Sequence, residues 1–158
     1  MRPATRLLGR VALLSLLCAA PARAQRAPGH ADVQPVQGLR FGALVPGMPV
    51  RIDPGDVGRR GELQLDGRGR YQLQLILPAT MDSPAGARLP LQFGLGDAAL
   101  VRGTAGTTEL FDPLVGTTLQ LTGGITTAQL FLGGTAIPAS DQAAGIYSAN
   151  VTILLARF

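Results

Sequence analysis

Apolar residues in this 158-residue chain recur at every second position in short bursts, and after residue 24 they show no helical spacing. Leu63 and Leu65 start the series, and Tyr71, Leu73, Leu75 and Leu77 continue it. Leu89, Leu91, Phe93 and Leu95 follow, then Ala128, Leu130 and Leu132, and finally Tyr147, Ala149, Val151, Ile153 and Leu155. In an extended chain such alternation sends one set of side chains into a core and the other to water. Between the bursts stand Pro46-Gly47, Asp53-Pro54-Gly55-Asp56, Asp66-Gly67, Pro78, Gly123-Gly124 and Gly133-Gly134, all strong turn signals. Many short alternating segments broken by such turns predict an all-β fold, an antiparallel sandwich or barrel of about seven or eight strands.

Within that frame, Gly61–Arg70 reads as half of a hairpin turned by Asp66-Gly67. Pro90 has no N–H to give, which places it at a sheet edge or at the start of its strand. Residues 96–116 show no clear period and read as a longer connection.

The first 24 residues belong to a different problem. Arg2, Arg6 and Arg10 precede the apolar run Val11–Ala20, and Ala22-Arg23-Ala24 supplies the small residues of a signal-peptidase site. The run is shorter than the roughly 20 residues that span a bilayer. Residues 1–24 therefore read as a secretory signal peptide cleaved before Gln25, residues 25–37 as a proline-broken leader or weak edge strand, and residues 38–158 as one domain. The expected location is periplasmic or at the cell surface.

Processing also changes the charge. Four of the 14 arginines (Arg2, Arg6, Arg10, Arg23) precede the site and none of the ten acidic residues does, so the exported chain carries ten of each. The basic balance of the full chain thus belongs to the targeting segment and argues for no nucleic-acid partner. The single cysteine, Cys18, also leaves, so the domain relies on its core instead of disulfides.

Chemistry is sparse. His30, the one histidine, lies in the leader, so no histidine-based triad or dyad can be assembled, and without cysteine there is no thiol chemistry. Asp53 and Asp56 flank Pro54-Gly55 and read as turn residues ahead of a calcium loop, which would need about six to eight oxygen ligands. Arg59-Arg60 and Arg68/Arg70 read as a solvated face offset by Asp56, Glu62 and Asp66. The expectation is a non-enzyme without cofactor or metal.

Three motifs, in order, carry a family resemblance. Leu39-Arg40-Phe41-Gly42 with Pro46-Gly47, then Phe131-Leu132-Gly133-Gly134-Thr135, then Pro138 through Ala149 (PASDQAAGIYSA) resemble a bacterial exported family, domain of unknown function 4402. That family is similar to subunits of archaic chaperone–usher pili and to spore coat U-like proteins. The resemblance implies an incomplete, pilin-like immunoglobulin sandwich whose missing strand comes from a neighbour by donor-strand complementation. It implies copies of itself or related subunits, and a periplasmic chaperone, as partners. Gly145, fourteenth from the C-terminus, and Phe158 correspond to the glycine and the aromatic of chaperone-recognised pilins, where the aromatic is penultimate instead of last.

Under this resemblance Tyr147, Val151, Ile153 and Leu155 border the acceptor groove, and Ala31 and Val33 are candidate donor plugs. The leader containing them is equally a first strand of its own domain or a tether. The functional expectation is a fimbrial-subunit-like structural or adhesive surface protein. The alternative is a monomeric module binding a polysaccharide or another envelope component. Against it stands the lack of tryptophan, with Tyr71 and Tyr147 both at core-facing phases.

Overall fold

Most of the alternating residues fall in strands of the computed structural model, which describes residues 31–103 and 106–158. The last stretch is a strand only from Thr152, with one isolated bridge at Ser148 before it, and Phe93 and exposed Leu95 lie beyond the strand that holds Leu89 and Leu91. The expected signal peptide, Cys18 and His30 lie outside the described residues. Twelve strands and no helix occur among those described. They are β1 (Asp32–Gln37), β2 (Val50–Ile52), β3 (Gly61–Asp66), β4 (Gly69–Ile76), β5 (Thr80–Asp82) and β6 (Arg88–Gln92). The series continues with β7 (Ala98–Arg102), β8 (Thr108–Phe111), β9 (Thr117–Leu121), β10 (Thr127–Leu132), β11 (Gly134–Ala136) and β12 (Thr152–Arg157). All the strand pairings are antiparallel.

A five-stranded sheet in the order β1-β3-β10-β7-β8 faces a three-stranded sheet in the order β12-β4-β9. Their shared core contains Leu65, Tyr71, Leu73, Leu100, Leu119, Leu121 and Leu130, all essentially inaccessible to solvent. This is the sandwich-like all-β architecture that the alternation predicts, because each sheet hides one apolar face against the other. A third sheet, β2-β11-β6-β5, extends the molecule and carries a smaller core of Phe41, Ile52, Leu89 and Ala136. Leu39, Leu44, Met81 and Tyr147 pack against that second core.

The strand count exceeds the sequence expectation for two reasons. Two strands, β5 and β11, are only three residues long, too short to show a period. Residues 96–116, expected as a connection, contain β7 and β8. Ala98, Ala99 and Leu100 are all buried, so no polar face marks the strand.

Asp66-Gly67 does not turn a hairpin. β3 pairs with β1 and β10, whereas β4 pairs with β12 and β9, so the turn carries the chain from one sheet to the other. Leu65 before the turn and Tyr71 after it then enter the same core from opposite sides. The Tyr71 hydroxyl donates to the Arg68 carbonyl at 2.8 Å and fastens the arch, in the manner of a tyrosine corner.

Pro90 lies in β6, an interior strand, contrary to the edge expectation. Its missing N–H costs little because β11 registers only with Gln92 and Leu91. Beyond that point the Pro90 carbonyl accepts from Ile137, and Leu91 donates to Ala79 on the other side.

The glycine pair is the hinge between sheets. β10 ends at Leu132 in the five-stranded sheet, and after Gly133 the same run of chain enters the four-stranded one as β11. A Cβ on Gly133 would overlap the Ile52 carbonyl oxygen, and one on Gly134 would lie 2.7 Å from Phe93 Cε1. Buried Asp97 secures the junction. Its carbonyl accepts from the Gly133 N–H at 2.7 Å, and its carboxylate takes the Gly94 N–H at 2.9 Å and Arg51 at 2.8 Å.

A candidate strand-acceptor groove

The two facing sheets end differently on their two sides. On one side stand β8 and β9, and there Arg102 of β7 spans the gap. Its guanidinium donates to the Thr118 carbonyl of β9 at 3.2 Å and pairs with Glu109 of β8 at 2.7 Å. One polar side chain thus ties the two edges together.

On the other side stand β1 and β12, and a groove of about 460 Å³ separates them. Pro35, Leu39, Leu63, Phe93, Val151 and Ile153 are among its walls, and no charged residue is. A second cleft of about 590 Å³ adjoins it, between residues 39–46 and 138–147. Leu39, Phe41, Met81 and Tyr147 line both clefts, and Arg40, in the second, is the one charged residue on either wall.

The two edges bordering the groove are not equivalent. β1 carries Pro35 and a register irregularity between Pro35 and Gln37, both of which obstruct pairing by a further strand. β12 has neither. Its Phe158 N–H bonds the Arg70 carbonyl at 3.1 Å, which continues the register Thr152↔Ile76, Leu154↔Gln74, Ala156↔Gln72. In an antiparallel ladder these alternate residues direct their main-chain groups at β4. The N–H and C=O groups of Ile153 and Leu155 therefore point away from it, and among the described residues no strand receives them.

The approach to β12 is held by side-chain contacts. Gln142 Nε2 donates to the Tyr147 hydroxyl at 2.7 Å and to the Arg88 carbonyl at 3.1 Å. The Tyr147 hydroxyl in turn donates to the Ala143 carbonyl at 2.6 Å. Ser148 then forms a two-way bridge with Asp82 of β5. The segment PASDQAAGIYS is thereby pinned to the four-stranded sheet before the chain passes to β4 as β12.

The residues singled out in the sequence fall as follows. Tyr147, Val151 and Ile153 line the groove, and Leu155 packs with Ile153 on the main core. Gly145 lies in the wall of the second cleft, 3.9 Å in projected Cβ distance from the Tyr147 ring. Phe158 is exposed at the end of the β12 ladder. Ala31 and Val33 sit at β1 and pack against this chain's own main core, with Val33 in register with Leu65. Pro35, Leu63, Phe93 and Gln142 escape sequence reasoning because nothing local says which side of the sandwich stays open.

The aspartates at the Pro54-Gly55 turn are occupied by it. Asp53 Oδ1 accepts from the Gly55 N–H at 2.7 Å, and Asp56 binds the Gly58 N–H and Arg59. Arg60 is not on a solvated face as expected. It lies 3.5 Å above the Phe131 ring and pairs with Glu62 at 3.2 Å. No helix among the described residues is long and apolar enough to cross a membrane.

No known protein family matches the chain, and no curated protein or solved structure does so either.

Proposed function

We propose that this protein is an exported, fimbrial-subunit-like structural protein that works by accepting a β-strand at the edge of β12. The observation that carries the reading is the asymmetry of the sandwich. One side is closed by Arg102, while the other presents an uncharged groove beside a straight edge. A strand laid there would bond the outward main-chain groups of Ile153 and Leu155, and its alternate side chains would fill the apolar walls. It would extend the three-stranded sheet beyond β12 and cover the open end of the main core. The order β1-β3-β10-β7 over β12-β4 suits an immunoglobulin-like sandwich short of one strand. The resemblance of the three sequence motifs to those of the pilin-related exported family supports the same reading.

The test uses the processed protein and a synthetic Lys-flanked peptide of alternating threonine and valine, about ten residues long, enough to cover β12 and the groove at roughly 3.3 Å per residue. Bound peptide should slow hydrogen exchange at the Ile153 and Leu155 amides and raise the melting temperature. Unchanged exchange at those two amides under saturating peptide would refute the reading.

A further inference from the structure

We infer that the second cleft, between residues 39–46 and 138–147, is a binding site for one medium-chain fatty acid, with the carboxylate at Arg40 and the alkyl chain on the second core. This site neighbours the strand-acceptor groove but does not depend on it.

The cleft is built from two segments without regular structure, fastened to each other by the Gly47 N–H, which donates to the carbonyls of Pro138 and Ala139 at 3.2 and 3.0 Å. Its apolar floor is the second core. Phe41 and Leu89 are buried there, and Leu44, Met81 and Tyr147 pack against them. A volume of about 590 Å³ lies in the range of small-molecule sites, which are apolar with a few placed polar groups.

The polar groups decide what kind of molecule fits. Arg40, Gln142 and Tyr147 are the lining residues whose side chains carry nitrogen or oxygen. Two of these are spent on the protein itself. Gln142 Nε2 serves the Tyr147 hydroxyl and the Arg88 carbonyl, its Oε1 accepts from the Ala139 N–H at 3.3 Å, and the Tyr147 hydroxyl donates to Ala143. Arg40 is not spent. Its main-chain N–H bonds the Arg59 carbonyl at 2.8 Å and fixes the residue, but its guanidinium joins no ion pair among the described residues. Leu39 and Phe41 on either side of it pack on the second core, and Arg40 stands exposed between them at the cleft wall.

One unspent cation beside an apolar floor selects a ligand with one anionic end and an apolar remainder. A carboxylate matches the planar guanidinium fork, whereas an ammonium head would be repelled and a neutral head would forgo the charge-assisted bond. No second cation lines the walls to meet a more highly charged head.

Calorimetric titration with decanoate, decanol and decyltrimethylammonium, each below its micelle concentration, tests this, with amide NMR shifts to locate the ligand. Decanoate should bind one-to-one, shift the amides of Phe41, Leu44 and Tyr147, and bind about two- to fourfold more tightly per methylene than octanoate. Arg40→Gln, at an exposed position, should keep the parent's urea midpoint, weaken decanoate by about fivefold and leave decanol unchanged. Equal affinity for the cationic detergent, decanoate binding indifferent to Arg40→Gln, or no binding up to the micelle concentration would each overturn the inference. So would shifts centred on Leu63 and Ile153, which would put the chain in the first groove. Arg40-dependent pelleting with phosphatidylglycerol vesicles, without binding of free decanoate, would assign the site to a lipid surface and overturn it too. None of these outcomes bears on exchange at the Ile153 and Leu155 amides under peptide, which tests the strand-acceptor reading separately.

Discussion

Gly133→Ala is the most direct probe of how the three sheets are joined. The new Cβ would overlap the Ile52 carbonyl oxygen and lie 2.9 Å from Pro54 Cδ and 3.0 Å from Pro54 N. Carbon contacts are comfortable at about 3.5–4.0 Å, so each of these must open by several tenths of an ångström or more. None of the three atoms ends a flexible side chain. Ile52 is fixed in register with Gly134, and the Pro54 ring cannot rotate away. Relief therefore requires moving β2 off β11 and disturbing the second core at Ile52. Overpacking costs about 1–3 kcal/mol, and a backbone obstruction puts this site at the upper end. Alanine restricts the unfolded chain more than glycine and returns about 0.5–1 kcal/mol. The net expectation is a loss of about 2 kcal/mol. In urea, with an m-value of about 2 kcal/mol per molar, the midpoint should fall by about 1 M with m unchanged. Gly94→Ala is the control, since its Cβ meets nothing within 4 Å, and it should stay within about 0.5 kcal/mol of the parent. If the two variants unfold at the same midpoint, the hinge argument is wrong.

Asp97→Ala leaves the Gly94 N–H without its partner in a site where the carboxylate side chain is 8% exposed, and should cost about 1–3 kcal/mol. Asp97→Asn can keep that hydrogen bond and lose only the pairing with Arg51, which is 58% exposed, so it should cost under about 1 kcal/mol by urea unfolding. Arg102→Met removes the tie between β7, β8 and β9 while keeping an unbranched apolar stem. Global stability should fall by no more than about 1 kcal/mol, because the ion pair is partly exposed, but hydrogen exchange along β8 and β9 should quicken. Unchanged exchange there would show that the far side is closed by something other than Arg102.

The all-β fold was readable because its evidence is local. Leu63–Leu65, Tyr71–Leu77 and Ala128–Leu132 alternate whatever they pair with, and the turn dipeptides between them act within four residues. Pairing is not local, and so Asp66-Gly67, which looks like a hairpin turn, proved to be an arch between sheets. Its sequence suits both uses, and the choice depends on Leu65 and Tyr71 meeting across a core. β7 escaped for a related reason: a strand buried on both faces has no period to read.

The candidate site divides in the same way. Tyr147, Val151, Ile153 and Leu155 share a phase, so the sequence alone places them together on one face of the final segment. It also determines that this segment is uncharged before Arg157. That Ala31 and Val33 are held in the chain's own sheet was decided by tertiary structure. So was the openness of one side of the sandwich, because an edge is a relation between strands distant in the chain. Arg102 closes β8 and β9 from sixteen residues away along the chain, at Thr118, whereas an uncharged groove lies between β1 and β12. Strand propensity is local, but which edge goes without a partner emerges only when all the strands have taken their places.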